Sequence, residues 1–375
     1  MGNMSNSLPP GCARFVLSPE FVEIETNSIP IHYMQRILLL LLLTTSVSYG
    51  QSGRSQASAM ATTLLSGQDS ALHLFEQALE YIQRNPFKKD ISWDSLIATS
   101  REQLSAATSV RDAHTVINQC LQQVQGAHSF VMPARHAALY HNDTAQLKRI
   151  PALKELVGAM SAEMIDQGIG YISVPWISSS DPAVCALIAD SLQSLIGHLA
   201  KQGATRWIID LRKNIGGNCW PMLAGIGPLL GNGVCGYFVR KARVTDIRYR
   251  EGAALHNNTT MCKVSNPVTL TDQQRQQIVV LTGPKTSSSG EILALAFKGM
   301  PQVRLMGEPT AGLTTANTTY DLFDGSTLVV TICQEADRTG RICEGKIVPD
   351  DIIKSDPLKE EDVVKANALM WLQSN

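Results

Sequence analysis

A layered α/β fold preceded by a helical region is the class that this sequence predicts, on three observations. Between 71 and 125 apolar residues recur at three- and four-residue intervals. From 168 onward, short apolar runs of strand length alternate with helical stretches. Turns rich in glycine or hydroxyl residues separate strand from helix at two of these junctions.

Leu72, Leu74, Phe75, Ala78, Leu79 and Ile82 mark one face of a first helix, which Asn85-Pro86 interrupts. The run Ile91-Ser92-Trp93-Asp94-Ser95-Leu96-Ile97 starts a second helix, and a third spans about 110–124, with Gly126 as its stop. Beyond this bundle, 168–174 reads as a buried strand and 181–199 as an amphipathic helix. A second strand at 206–211 leads through a glycine turn into an apolar helix at 220–230. A third strand, 277–282, feeds a helix at 288–298. Another unit begins at 303–307, and 326–332 is a late strand.

A net charge of −1 with 17% charged residues leaves no electrostatic footprint for nucleic acid. No CxxC pair occurs, which disfavours a cysteine zinc site, and the glycine turn at 210–218 carries neither GxGxxG nor GxxxxGK[ST]. No metal and no cofactor are therefore expected. Met34-Gln35-Arg36 precedes an apolar run at 37–43 and then small residues through Gly50. That pattern is a signal peptide over 34–50, since the run is about half the length needed to span a bilayer. No stable membrane span is expected after its removal; a permanent anchor is the alternative. Residues 1–33 fit neither a signal nor a core and read as an upstream extension. The remaining boundaries are a helical domain over 62–126 and a second domain over 127–375. Secretion, or a periplasmic or envelope location, allows Cys333 and Cys343, which flank a turn at 337–340, to form a disulfide. Buried thiols are the other reading of the cysteines.

Two turns carry the chemistry. In Asp210-Leu211-Arg212-Lys213-Asn214-Ile215-Gly216-Gly217-Asn218, adjacent glycines let backbone approach a ligand and form an anion-holding nest; the same glycines also serve an ordinary tight turn. In Thr286-Ser287-Ser288-Ser289-Gly290-Glu291 a hydroxyl-rich turn opens a helix. It can present a serine oxygen beside free backbone N–H groups, while Ser288 and Glu291 also spell a capping box that needs no chemistry.

These two segments, with Gly307-Glu308-Pro309-Thr310-Ala311-Gly312 and Gly345-Lys346-Ile347-Val348-Pro349-Asp350, resemble the DLRxNxGG, TxSxxE, GEPTxG and GxGIxPD motifs of the tail-specific, or C-terminal processing, serine proteases, in order over about 168–353. Asp90-Ile91-Ser92-Trp93 and Gly126-Ala127-His128-Ser129-Phe130 extend the likeness upstream. The resemblance implies a crotonase-like spiral of ββα units behind the helical bundle, a protein or peptide substrate, and Ser288 as nucleophile. Where the serine/lysine branch has its base, this chain has Leu313, which cannot take a proton. The branch similar to tricorn core proteases uses histidine, and His128 occupies that position. Lys285, His114 and His136 are the other candidate bases. By resemblance the third member is Glu344, with Asp337 and Glu335 as runners-up. A serine that stands before the histidine in that branch is Ala127 here, and Ser129 lies on the other side.

The implied reaction is attack by Ser288 on a peptide carbonyl, with His128 taking the proton and the Gly217 and Ser289 amides holding the oxyanion. About forty residues separate His128 from Gly168, too few for the roughly ninety-residue PDZ module that many tail-specific proteases insert there. The rival reading is a catalytically inactive binding protein of the same fold, for peptides or apolar ligands. An acyl-CoA enzyme of that fold is set against the secretory signal.

Overall fold

The computed structural model describes residues 15–17, 67–85, 89–241, 243–355 and 361–374; the signal peptide expected at 34–50 and most of the proposed extension lie outside these. In chain order the elements are β1 (Phe15–Leu17), α1 (Gly67–Arg84), α2 (Trp93–Leu104), α3 (Val110–Val124), β2 (Phe130–Met132), α4 (Ala134–Tyr140), β3 (Met160–Asp166), β4 (Ile169–Ser173), α5 (Pro182–Lys201), β5 (Arg206–Asp210), α6 (Cys219–Leu230), β6 (Gly233–Arg240), β7 (Arg243–Arg250), β8 (Ala253–His256), β9 (Thr259–Lys263), β10 (Gln277–Thr282), α7 (Ser289–Phe297), β11 (Val303–Gly307), β12 (Thr315–Asp321), β13 (Thr327–Ala336), β14 (Ile342–Cys343), β15 (Asp351–Ile352) and α8 (Val363–Ser374).

Two sheets organise this mixed α/β structure. The first runs β1-β3-β4-β5-β10-β11-β15 and is parallel from β4 to β15. Its strands alternate in burial. Ile209, Ile278 and Val280 face α5, α6 and α7, while Ile208, Val279 and Leu281 face Val364, Ala368 and Leu372 of α8. Both faces are covered, which is why these strands read as continuous apolar runs. α5 is long and apolar enough by composition to cross a membrane, yet it buries Ile188, Leu192, Ile196 and Leu199 in this core.

The second sheet is antiparallel, β12-β13-β6-β7-β8-β9, with β2 and β14 also paired to β13. α1, α2 and α3 pack their apolar faces together and onto Val131, Leu328 and Val330 of this sheet. Sequence reading found α1 to α3 and the parallel strands β4, β5, β10 and β11, though not β15. It did not find β6 to β9, where exposed charged residues interrupt the apolar pattern. Cys333 and Cys343 carry free thiols, correcting the expected disulfide. Cys343 pairs in register with Glu335, which displaces it by two residues from Cys333.

Candidate active site

The carboxyl ends of β5, β10 and β11 lie side by side, since Asp210 pairs with Leu281 and Thr282 with Gly307. The turns that leave them therefore converge on one edge of the sheet, where parallel sheets collect ligand sites. After β5, Asn214 is fully buried and acts as a junction. Its Nδ2 donates to Pro175 O at 3.0 Å, its Oδ1 accepts from Gly216 N at 2.9 Å, and its carbonyl accepts from Ser287 N at 3.1 Å. Gly216 (φ 97°) and Gly217 (φ 105°) follow. A Cβ on Gly216 would lie 2.8 Å from the Ser288 Cβ, and one on Gly217 would lie 2.0 Å from Ile177 O, so neither site admits a side chain.

After β10, the Thr286 hydroxyl donates to Leu211 O at 2.9 Å and accepts from Gly283 N at 3.0 Å, binding the two turns together. Ser288 sits at φ 51°, ψ −120°, a conformation that costs a serine roughly 1–3 kcal/mol. Glu291 holds it there. This fully buried carboxylate accepts from Ser288 N and Leu313 N on Oε2, both at 2.8 Å, and from Gly312 N at 2.8 Å and the Thr310 hydroxyl at 2.5 Å on Oε1. Burial raises the Glu291 pKa and these four donors oppose the rise. Only half of the expected capping box forms: Glu291 caps the Ser288 amide, but the Ser288 hydroxyl turns elsewhere.

It turns to His128. The histidine lies two residues before β2, whose pairing with β13 carries it to the rim of the first sheet. Ser129 Oγ accepts from Thr331 N at 2.9 Å, and Asn317 Nδ2 donates to His128 O at 3.0 Å, so the histidine backbone is tied to β12 and β13. Its Nε2 lies 2.9 Å from Ser288 Oγ and its Nδ1 lies 2.7 Å from Thr315 Oγ1. Burial lowers the His128 pKa to about 4, with Thr315 opposing the fall. The ring is therefore neutral at pH 7. With Nε2 accepting the serine proton, Nδ1–H donates to the Thr315 hydroxyl.

The acid expected beside the histidine is elsewhere. Glu344 is exposed and accepts from Gln334 Nε2 at 3.1 Å. The Thr314 hydroxyl donates to the carbonyls on both sides of it, Cys343 O at 3.2 Å and Gly345 O at 3.0 Å, and this hold on the backbone leaves the Glu344 side chain in solvent. Asp337 folds onto its own turn, accepting from Thr339 N at 2.8 Å and Arg341 N at 3.1 Å. The Glu335 carboxyl is buried and, among the described residues, has no hydrogen-bond partner. Thr315 is thus the group on His128 Nδ1, and no motif marks it: it is one hydroxyl residue among several after Leu313. Of the other candidate bases, Lys285 is exposed, His114 pairs with Asp324 at 2.8 Å and His136 is exposed.

A cavity of about 840 Å³ opens over the pair, walled by Gly217, Ser289, Trp220, Phe238, Leu313 and Glu335 among others, a volume suited to several residues of an extended chain. The amides of Gly217 and Ser289 border it, and among the described residues neither donates to a protein acceptor.

Residues 168–353 match the profile of peptidase family S41. The chain carries a peptidase family S41 domain. The match, with similar proteins named as carboxyl-terminal processing proteases, supports a serine-type peptidase, a hydrolase. The S41 match begins just before β4 and ends just after β15, so it holds Ser288 and Thr315, whereas His128 comes from outside it. Among similar proteins, the nisin-resistance protein of Lactococcus lactis subsp. lactis is 26% identical over 288 residues, covering 77% of this chain and 82% of the relative. The carboxy-terminal processing protease CtpA of Bacillus subtilis (strain 168) is 28% identical over 180 residues, and the matched part spans only 33% of that protein's length. The solved structure of a lipoprotein from Streptococcus agalactiae shares the fold at a TM-score of 0.59 and 23% identity, covering 83% of this chain and 97% of that one.

Proposed function

We propose that this S41 protein is an endopeptidase working through a Ser288 acyl-enzyme, in the histidine branch of the family and without a PDZ module. The observation that carries this reading is the 2.9 Å contact between His128 Nε2 and Ser288 Oγ, made by a neutral histidine. Ser288 Oγ forms a bond to a peptide carbonyl carbon as its proton passes to His128 Nε2. The oxyanion settles against the Gly217 and Ser289 amides, each contributing on the order of 3 kcal/mol to the transition state. His128 then returns the proton to the departing amine, and water repeats the sequence on the ester. Thr315 holds the ring and its tautomer, taking the part that sequence reading assigned to Glu344.

The reading includes a crotonase-like spiral over 127–375, a helical domain over 62–126, and secretion or an envelope location through the segment at 34–50. The substrate is a protein or peptide, and the relative named for nisin resistance makes nisin the first to test. A fluorophosphonate probe checks the mechanism: the wild-type protein labels and Ser288→Ala does not. Silence of both proteins favours the inactive binding protein instead. A second expectation concerns the tautomer. Thr315→Val lowers kcat roughly tenfold with KM little changed, since it frees the ring without touching substrate; an unchanged kcat removes Thr315 from the scheme.

A further inference from the structure

Glu335 is a buried ionisable group that the proton-transfer scheme leaves idle. It lies on β13, only 2% exposed, and among the described residues neither carboxyl oxygen has a hydrogen-bond partner. Buried polar groups are nearly always satisfied, so an orphaned carboxyl marks a place where a partner is missing. Burial, reinforced by the Glu291 charge, raises its pKa well above the usual carboxylate range. Glu335 borders the cavity that holds Ser288, together with Cys333 on the same strand face, Cys219, and Ser289 and Ile292 of α7. Behind it lie Ile292, Leu295 and Ala296 of the same helix. Glu335 therefore separates apolar core from the cavity, with both carboxyl oxygens covered at the cavity floor.

We propose that Glu335 is the floor of the subsite receiving the substrate side chain just N-terminal to the scissile bond, and that it selects lysine or arginine there. The proposal rests on Ser288 being the nucleophile. Ser289 and Ile292 follow Ser288 by one and four residues, so one face of α7 leads from the nucleophile down to Glu335. The side chain beside an attacked carbonyl enters the recess nearest that serine. Ile292, Cys219 and Cys333 suit a methylene stem, and an ammonium or guanidinium head supplies the N–H donors that both carboxyl oxygens lack. Pairing with the cation favours the carboxylate, and any proton that the carboxyl carries passes to solvent. An apolar side chain of equal length leaves the carboxyl orphaned. The cations on the cavity wall, Arg240 and Arg243, are themselves exposed.

The test uses peptidyl diphenyl phosphonates that differ only in carrying lysine or norleucine at that position, scored by the rate at which each labels the full-length protein. The Ser288 oxygen attacks phosphorus and phenol leaves. The lysine probe is expected to label faster by on the order of a hundredfold. In Glu335→Gln the two rates come within about threefold of each other through loss of the lysine rate, and the variant's urea unfolding midpoint is the control for folding. Should that variant not fold, Glu335→Asp keeps the lysine preference in weakened form. Equal rates in the wild type, or a lysine preference that survives Glu335→Gln, overturn the proposal. A wild type that reacts with a simple fluorophosphonate but ignores the lysine head sinks only the role of Glu335; one inert to every phosphonate sinks the nucleophile as well.

Discussion

His128→Ala is expected to lower kcat by about 10⁴-fold or more while leaving KM within a few-fold, because the histidine acts on the proton in flight rather than on bound substrate. Steady-state kinetics on any cleaved peptide, or the labelling rate of Ser288, measures it; a loss below about tenfold removes His128 as base. The wild-type pH profile carries a second signature. The base must be neutral, and burial sets its pKa at about 4, so kcat/KM stays flat through pH 6 and falls only as pH drops through about 4. An exposed histidine would bend the profile near 6.5. Stability follows the same shift. The unfolded chain takes up the proton near pH 6.5 and the folded one only near 4, so His128 contributes stability that is complete above pH 6.5. That contribution is lost as pH falls from 6.5 to about 4, and amounts to about 3 kcal/mol. Denaturant unfolding at pH 7 and pH 4.5 reads this difference, and His128→Ala lacks it.

Glu291→Ala produces the largest expected stability loss. Removing the carboxylate strands the Ser288, Gly312 and Leu313 amides and the Thr310 hydroxyl in a buried site. Leaving buried groups without partners costs on the order of 3–5 kcal/mol here, more than an ordinary surface substitution by an order of magnitude. The same change releases the left-handed backbone of Ser288, so the nucleophile relaxes away from His128 Nε2. Urea unfolding and fluorophosphonate labelling together separate the two consequences: midpoint and labelling rate both fall, the latter by about a hundredfold in the protein that remains folded. Retention of the wild-type labelling rate would mean that the turn holds its shape without Glu291.

Much of the parallel sheet was legible because its strands are buried on both faces and its turns are short. β5 and β10 each hold a continuous apolar run and β11 one broken only by Arg304, and each leads into a turn with glycine or hydroxyl residues. β6 to β9 escaped reading because one side of that sheet is exposed. Arg243, Arg248 and Arg250 break the run, and only the pairing of neighbouring strands makes it a ladder. The acid at Glu344 was drawn from motif order, which cannot register that Thr314 grips the peptide on both sides of it. Glu335 was a runner-up for the wrong position; its orphaned carboxyl is visible only once β13 is set against α7.

The sequence by itself determined the strand-turn-helix units and the glycines that no side chain can replace, since these follow from dihedral preference and burial period; resemblance to the tail-specific protease motifs pointed to Ser288 among three adjacent serines. The same resemblance named His128 as its base; tertiary structure decided how the two meet and what else His128 touches. His128 lies 160 residues away and outside the S41 match. It arrives because β2 pairs with β13 of the second sheet while Ser288 rides the first, and the histidine's partner is whichever side chain that docking brings to Nδ1. Thr315 holds that place through packing between two sheets, which no local pattern encodes.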